Sequence, residues 1–105
     1  IIYYDQGQVN EAIKEYIIAL RIKPELPLAH NNLGNAYFAQ SRFDEAIKEY
    51  LAALRFDPNN PEIHYNLGLA YKRKGMKDEA RKEFEITLKL KPDFTKAQKI
   101  IKSLE

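Results

Sequence analysis

Pro24, Pro58 and Pro92 stand 34 residues apart, and Ala12, Ala46 and Ala80 keep the same interval. A fixed period of that length marks a chain built from one supersecondary unit copied in tandem, each copy burying its apolar face on the next. Setting 27–60 on 61–94 gives 14 identities in 34, from Pro27/Pro61 and His30/His64 through Leu54/Leu88 to Pro58/Pro92. Residues 1–26 set on 35–60 match at 12 of 26, among them Tyr3/Tyr37, Tyr16/Tyr50 and Ala19/Ala53, so the first unit is a truncated copy.

Inside each unit, two apolar stripes at helical spacing flank a short polar break. In 27–60 the first runs through Leu33, Ala36 and Tyr37 and the second through Ala46, Ile47, Tyr50, Ala53 and Leu54. Breaks at Ser41-Arg42 and Gly75-Met76 span only a few residues, which forces the two helices of a pair to run antiparallel. Asn60 before Pro61 predicts a capped helix start, and Asp44-Glu45 and Asp78-Glu79 put carboxylates at the positive ends of second helices. Pro58 and Pro92 close those helices. Gly34, Gly68, Ala12, Ala46 and Ala80 are the small residues that let helices cross closely. Thr95 to Leu104, with Ala97, Ile100, Ile101 and Leu104 apolar, predicts one terminal helix. The expected fold is all-α in a single domain: 1–26 a truncated repeat, 27–60 and 61–94 full repeats, 95–105 a capping helix.

The 105 residues, 12.3 kDa, leave room for one ordinary core. With 45% hydrophobic and 30% charged residues and a mean hydropathy of -0.54, the chain suits neither disorder nor a membrane bundle. The absence of cysteine removes disulfides, thiolate metal sites and a cysteine nucleophile. No apolar run is long enough to span a bilayer and the start Ile1-Ile2-Tyr3-Tyr4 has no basic signal segment, so a soluble, cytoplasmic chain is expected; with no initiating Met it reads as a piece of a longer protein. Charge is uneven: residues 1–68 carry 6 Lys/Arg and 9 Asp/Glu, net -3, and residues 69–105 carry 11 and 6, net +5.

Nothing in the pattern supplies reactive chemistry, so no catalytic residue, cofactor or metal is expected. His30 and His64 are copies in neighbouring repeats without a carboxylate or cysteine cluster, which reads as packing rather than zinc. Ser41 lies in a turn and Ser103 in the terminal helix, neither near a base in sequence. Gly68 and Gly75 are isolated and form no phosphate loop. The basic run Lys72, Arg73, Lys74, Lys77, Arg81 and Lys82 is interrupted by Glu79, Glu83 and Glu85, which makes a helix surface laced with ion pairs the expectation and nucleic acid an unlikely partner.

Leu33, Gly34, Tyr37, Ala46, Tyr50, Ala53 and Pro58, with Leu67, Gly68, Tyr71, Ala80, Phe84 and Pro92 in the next unit, resemble the tetratricopeptide repeat signature. His30 and His64 stand where that family often has Trp, and Thr87 where it prefers Ala. The resemblance implies a right-handed α-α superhelix, a solenoid of antiparallel helix pairs. It also implies that the first helix of each pair lines a concave groove that holds peptides, and hence a protein-interaction module.

By that resemblance the groove takes Tyr4, Asp5, Leu28, Asn31, Asn32, Asn35, Phe38, Glu62, Tyr65, Asn66, Leu69, Lys72, Arg73, Lys96, Lys99 and Ile100. Amides both donate and accept, so Asn32 and Asn66 suit holding a peptide backbone, or else they simply cap and hydrate the helix surface. Phe38 and Tyr65 are the largest apolar anchors, with packing between first helices as the alternative. Lys72, Arg73, Lys96 and Lys99 would favour an acidic segment or a free carboxylate, or else form a solvated run. The related carboxylate-clamp repeats of chaperone-binding proteins use two Asn and three bases. Here Asn35, Asn66 and Lys96 fall in matching places while Asn31 and Ile100 replace the other two bases, so a full clamp is not expected. A protein or peptide partner is the leading expectation. The alternatives are self-association through the exposed N-terminal edge around Ile1-Ile2, and a targeting or regulatory segment of a larger enzyme.

Overall fold

Two helix pairs, preceded by one helix and followed by another, make up the computed structural model, which describes residues 6–104. The order is α1 (Gln6–Ile22), α2 (Pro27–Ala39), α3 (Phe43–Phe56), α4 (Pro61–Arg73), α5 (Lys77–Leu90) and α6 (Thr95–Ser103), with no strand among the described residues. Each α4 start signal is realised: Asn60 Oδ1 accepts from the backbone N–H of Glu62 and of Ile63, and Pro61 takes the first turn. Asp44 and Glu45 lie in the first turn of α3, and Asp78 and Glu79 in that of α5.

The hairpin turns repeat to the atom. Arg42 N–H donates to the Tyr37 carbonyl and Ser41 N–H to that of Phe38; Met76 and Gly75 do the same toward Tyr71 and Lys72. This closure needs one left-handed residue after the helix. Gly75 supplies it at φ 80° and Ser41 at φ 59°. Gly7, the third residue of that series, lies instead within α1.

α2 packs most extensively on α3 and α4 on α5, and α3 packs on α4 across the repeat boundary. The core between them holds Ala46, Tyr50, Ala53, Ile63, Leu67 and Ala70, with a smaller cluster of Val9, Ile13 and Leu33 under α1. The small residues act as expected. A Cβ added at Gly34 would lie 2.7 Å from Tyr50 Cε1, and one at Gly68 2.5 Å from Phe84 Cε1, so each glycine is the surface on which a buried ring rests. In α6 the corresponding position is Lys102, which is exposed. Thr87 is fully buried; its hydroxyl donates to the Glu83 carbonyl at 2.9 Å, which satisfies the polar atom where the repeat signature prefers Ala.

Each repeat is also tied to the loop before it. His30 donates from Nε2 to the Pro24 carbonyl at 2.6 Å, and its Nδ1 pairs with Glu49 at 2.9 Å. His64 repeats this on Pro58 at 2.7 Å and Glu83 at 2.8 Å. Gln98, 34 residues on, donates to the Pro92 carbonyl at 2.7 Å. These histidines therefore pack and brace the fold, and no group of three or more metal-ligating side chains occurs among the described residues.

Candidate functional site

The first helices α2 and α4 touch each other, whereas α3 and α5 make no comparable contact, so the array closes up on the first-helix side. That side is the concave one. Across it Asn66 Nδ2 donates to Asn31 Oδ1 at 3.1 Å, joining two residues of the expected groove. Asn35 is exposed and accepts the Tyr50 phenol at 2.5 Å, which fixes its carbonyl and orients the rest of the amide.

Beside this pair opens a cleft of about 290 Å³ between α1 and α2, lined by Gln8, Val9, Ala12, Tyr16, Asn32, Asn35, Ala36 and Ala39. Asn32 and Asn66 are repeat copies, yet only Asn32 lies in the cleft; Asn66 faces the neighbouring first helix. No lining residue carries a charge.

A second group gathers where α2 and α4 end. Phe38 meets Phe43 edge-on at 5.2 Å, and the Arg73 guanidinium lies 5.6 Å from the Phe38 ring and 5.0 Å from the Phe43 ring. Lys72 beside it is exposed, and Lys74 is ion-paired with Asp44. Both rings flank the Arg73 guanidinium, and the residue stays exposed.

Tyr65 stands apart from both groups. Its ring packs 5.6 Å from Phe84 and 5.0 Å from Phe94, and burial pushes its phenol up from the ordinary tyrosine range. Leu69 and Ile100 are half-buried, Leu28 is 69% exposed at the start of α2, and Glu62, Lys96 and Lys99 are exposed. Tyr4 and Asp5 lie outside the described residues, as do Ile1 and Ile2. Sequence reasoning missed Phe43 and Phe94, which complete the two aromatic groups, and Gln40, which donates to Asn10 at 2.7 Å and joins α2 to α1. Nothing in the repeat pattern marks the two phenylalanines, since their copies are Lys77 and Asn60. Within the basic run, Arg81 donates to the Leu104 carbonyl at 3.0 Å, so it anchors α6.

A family profile described as TPR repeat matches residues 2–41 and 34–75, and one described as tetratricopeptide repeat matches 61–94. The chain belongs to the tetratricopeptide repeat family. It has the helix-pair solenoid of that family, whose members are interaction scaffolds. The first TPR of Spaghetti (RPAP3) bound to the HSP90 peptide SRMEEVD is similar at 25% identity and TM-score 0.90, covering 94% of this chain and 79% of that one. MamA is similar at 28% identity and TM-score 0.90, the match spanning 93% of this chain and 57% of MamA. The first TPR domain of human RPAP3 is similar at 25% identity and TM-score 0.89, covering 94% and 78%. No curated protein matches the sequence significantly. No helix among the described residues is long and apolar enough to cross a membrane.

Proposed function

We propose that residues 1–105 form one peptide-binding domain, with 1–26 a truncated repeat, 27–60 and 61–94 full repeats and 95–105 a cap, and that it acts by binding rather than catalysis. An extended or helical segment of another polypeptide lies along the concave side. Asn31, Asn32, Asn35 and Asn66 address its backbone, and Phe38 and Leu69 its apolar side chains. Lys72, Arg73, Lys96 and Lys99 favour acidic residues; Tyr65 contributes the ring edge left by Phe84 and Phe94. The observation that carries the reading is the run of amides along the first-helix side, Asn35 exposed and Asn31, Asn32 and Asn66 half-buried, beside a cleft. The shared fold of a repeat domain bound to the peptide SRMEEVD supports it, and supports an acidic ligand.

The test is titration of the 105-residue chain with a fluorescent SRMEEVD peptide. Asn32→Ala with Asn66→Ala weakens peptides of any sequence. Lys96→Ala with Lys99→Ala weakens acidic ones and flattens the salt dependence. Binding untouched by both pairs refutes the groove. A second reading, self-association at the N-terminal edge, rests on the exposure of Ile18 at 56%, Ile22 at 81% and Leu28 at 69%. Sedimentation as a monomer at high concentration excludes it.

A further inference from the structure

His30, His64 and Gln98 stand at one interval, and each side chain binds the carbonyl of a proline six residues back, Pro24, Pro58 or Pro92. A carbonyl oxygen only accepts, so the side-chain atom must bring a hydrogen. The amide nitrogen of Gln98 always has one. In the two histidines the bond requires a proton on Nε2.

The other ring nitrogen calls for a second proton. Nδ1 of His30 lies 2.9 Å from Glu49 Oε1, and Nδ1 of His64 lies 2.8 Å from Glu83 Oε1. With Nε2 already a donor, a neutral ring offers Nδ1 only as an acceptor, and an ionised carboxylate is an acceptor too. Two acceptors form no bond. Each pair therefore holds one proton more than a neutral histidine beside an ionised glutamate, whether that proton rests on the ring or on the carboxyl group. Water is a poor substitute for it, since none of the four side chains is more than 17% exposed.

The charges around the pairs are engaged elsewhere or face solvent. Arg55 lies over the Phe56 ring, which stacks on His30, and Lys23 and Glu25 beside Pro24 are exposed. Glu45, one turn before Glu49, pairs with Arg42. Near His64, Asp57 accepts from Asn60 Nδ2 at 3.0 Å and Glu62 is exposed, while Glu83 and Glu79 face the neutral Tyr71 phenol. Among the described residues no lysine or arginine pairs with Glu49 or Glu83.

We propose that each full repeat is closed by a proton-holding brace, and that the two braces make the fold sensitive to pH across the neutral range. They hold the N-terminal turns of α2 and α4, the helices that carry Asn31, Asn35 and Asn66, so the groove side of the array is fixed by the same protons. An unfolded histidine releases its proton around pH 6.5. Above that value the folded chain binds more protons than the unfolded one, and stability falls as pH rises. Between about pH 5 and 6.5 both states keep the histidine protons and the contribution is complete.

Urea unfolding of the 105-residue chain at pH 6.5 and pH 8.5 reads the effect. The folding equilibrium constant drops at least about tenfold over that interval, each retained proton contributing up to about tenfold per pH unit. Glu49→Gln with Glu83→Gln keeps all four bonds, because a glutamine amide donates to a neutral Nδ1, and its constant changes by no more than about twofold. The α-amino group, which titrates in the same interval, is common to both chains. Each single variant keeps about half of the parent's loss on a logarithmic scale, and the singles carry the comparison where the double variant does not fold. His64→Gln, which binds Pro58 as Gln98 binds Pro92, removes the same share as Glu83→Gln. In nitrogen-15 spectra at pH 7.5, both parent rings carry a proton on Nε2.

Stability that is equal or higher at pH 8.5 overturns the proposal. So does a loss that the glutamine variants retain in full, or a ring protonated on Nδ1 alone. No peptide takes part in these measurements, so their outcome is independent of the groove.

Discussion

Tyr50, 1% exposed at the centre of the core, donates its phenol to Asn35 on the groove surface at 2.5 Å. The bond runs outward from the packing and holds the amide of a groove residue. Tyr50→Phe keeps the ring on Gly34 and loses the hydrogen bond, at a cost of about 1 kcal/mol. Burial pushes the Tyr50 phenol well above the usual tyrosine range, and those of Tyr65 and Tyr71 rise with it. Their neutral forms are therefore favoured by folding. Stability from this source is complete below about pH 10, the pKa of an unfolded tyrosine, and is lost as pH rises beyond it. Urea midpoints at pH 8 and pH 11 should fall apart for the parent chain and less so for Tyr50→Phe.

At Gly68 two effects of opposite sign compete. Alanine in a helix interior is favoured over glycine by about 0.5–1 kcal/mol. Its Cβ would sit 2.5 Å from the ring of Phe84, which is 0% exposed and has nowhere to move. Overpacking of this kind costs about 1–3 kcal/mol, so the clash wins and Gly68→Ala lowers Tm. A rise in Tm would show that the ring yields.

Ser41 holds its left-handed backbone without glycine's freedom. That conformation costs a side-chain-bearing residue about 1–2 kcal/mol, partly offset in Ser41→Gly by the looser unfolded chain. Ser41→Gly should stabilise by about 0.5 kcal/mol. Gly75→Ala should destabilise by a similar amount, since a Cβ there meets no atom within 4 Å and only the backbone term remains. Thermal melts of both variants decide the sign.

The His64 brace joins Pro58, α4 and α5. His64→Ala removes both bonds and leaves the Glu83 carboxylate, half-buried, without its ring. We expect a loss of about 1–3 kcal/mol. Glu83→Gln, which keeps an acceptor for the ring, should lose less in the same urea titration.

The helix pairs could be read from the sequence because small and large residues recur at a fixed interval, and burial obeys that interval: Ala46 and Ala80, or Tyr50 and Phe84, have one environment each. Environment fails to repeat where a neighbour is not a copy. Asn32 and Asn66 are identical by position, yet Asn66 meets Asn31 on the first helix of the repeat before it while Asn32 faces a cleft. Tyr65 looked like a free anchor, and Phe94, whose copy is Asn60, takes up part of its ring. Ser41 gave no sign of its left-handed backbone except that Gly7 and Gly75 stand at the same interval.

The braces at His30 and His64 each span three elements, reaching back to the loop behind and across to the second helix of the same pair. No full repeat can let go without disturbing the one before it, so melting couples along the chain. α1 enters that linkage through the Pro24 loop and the Gln40–Asn10 bond, but its Glu15 is solvent-exposed where Glu49 and Glu83 each hold a histidine. Amide exchange in the 105-residue chain should therefore be faster along α1 than along α3 or α5.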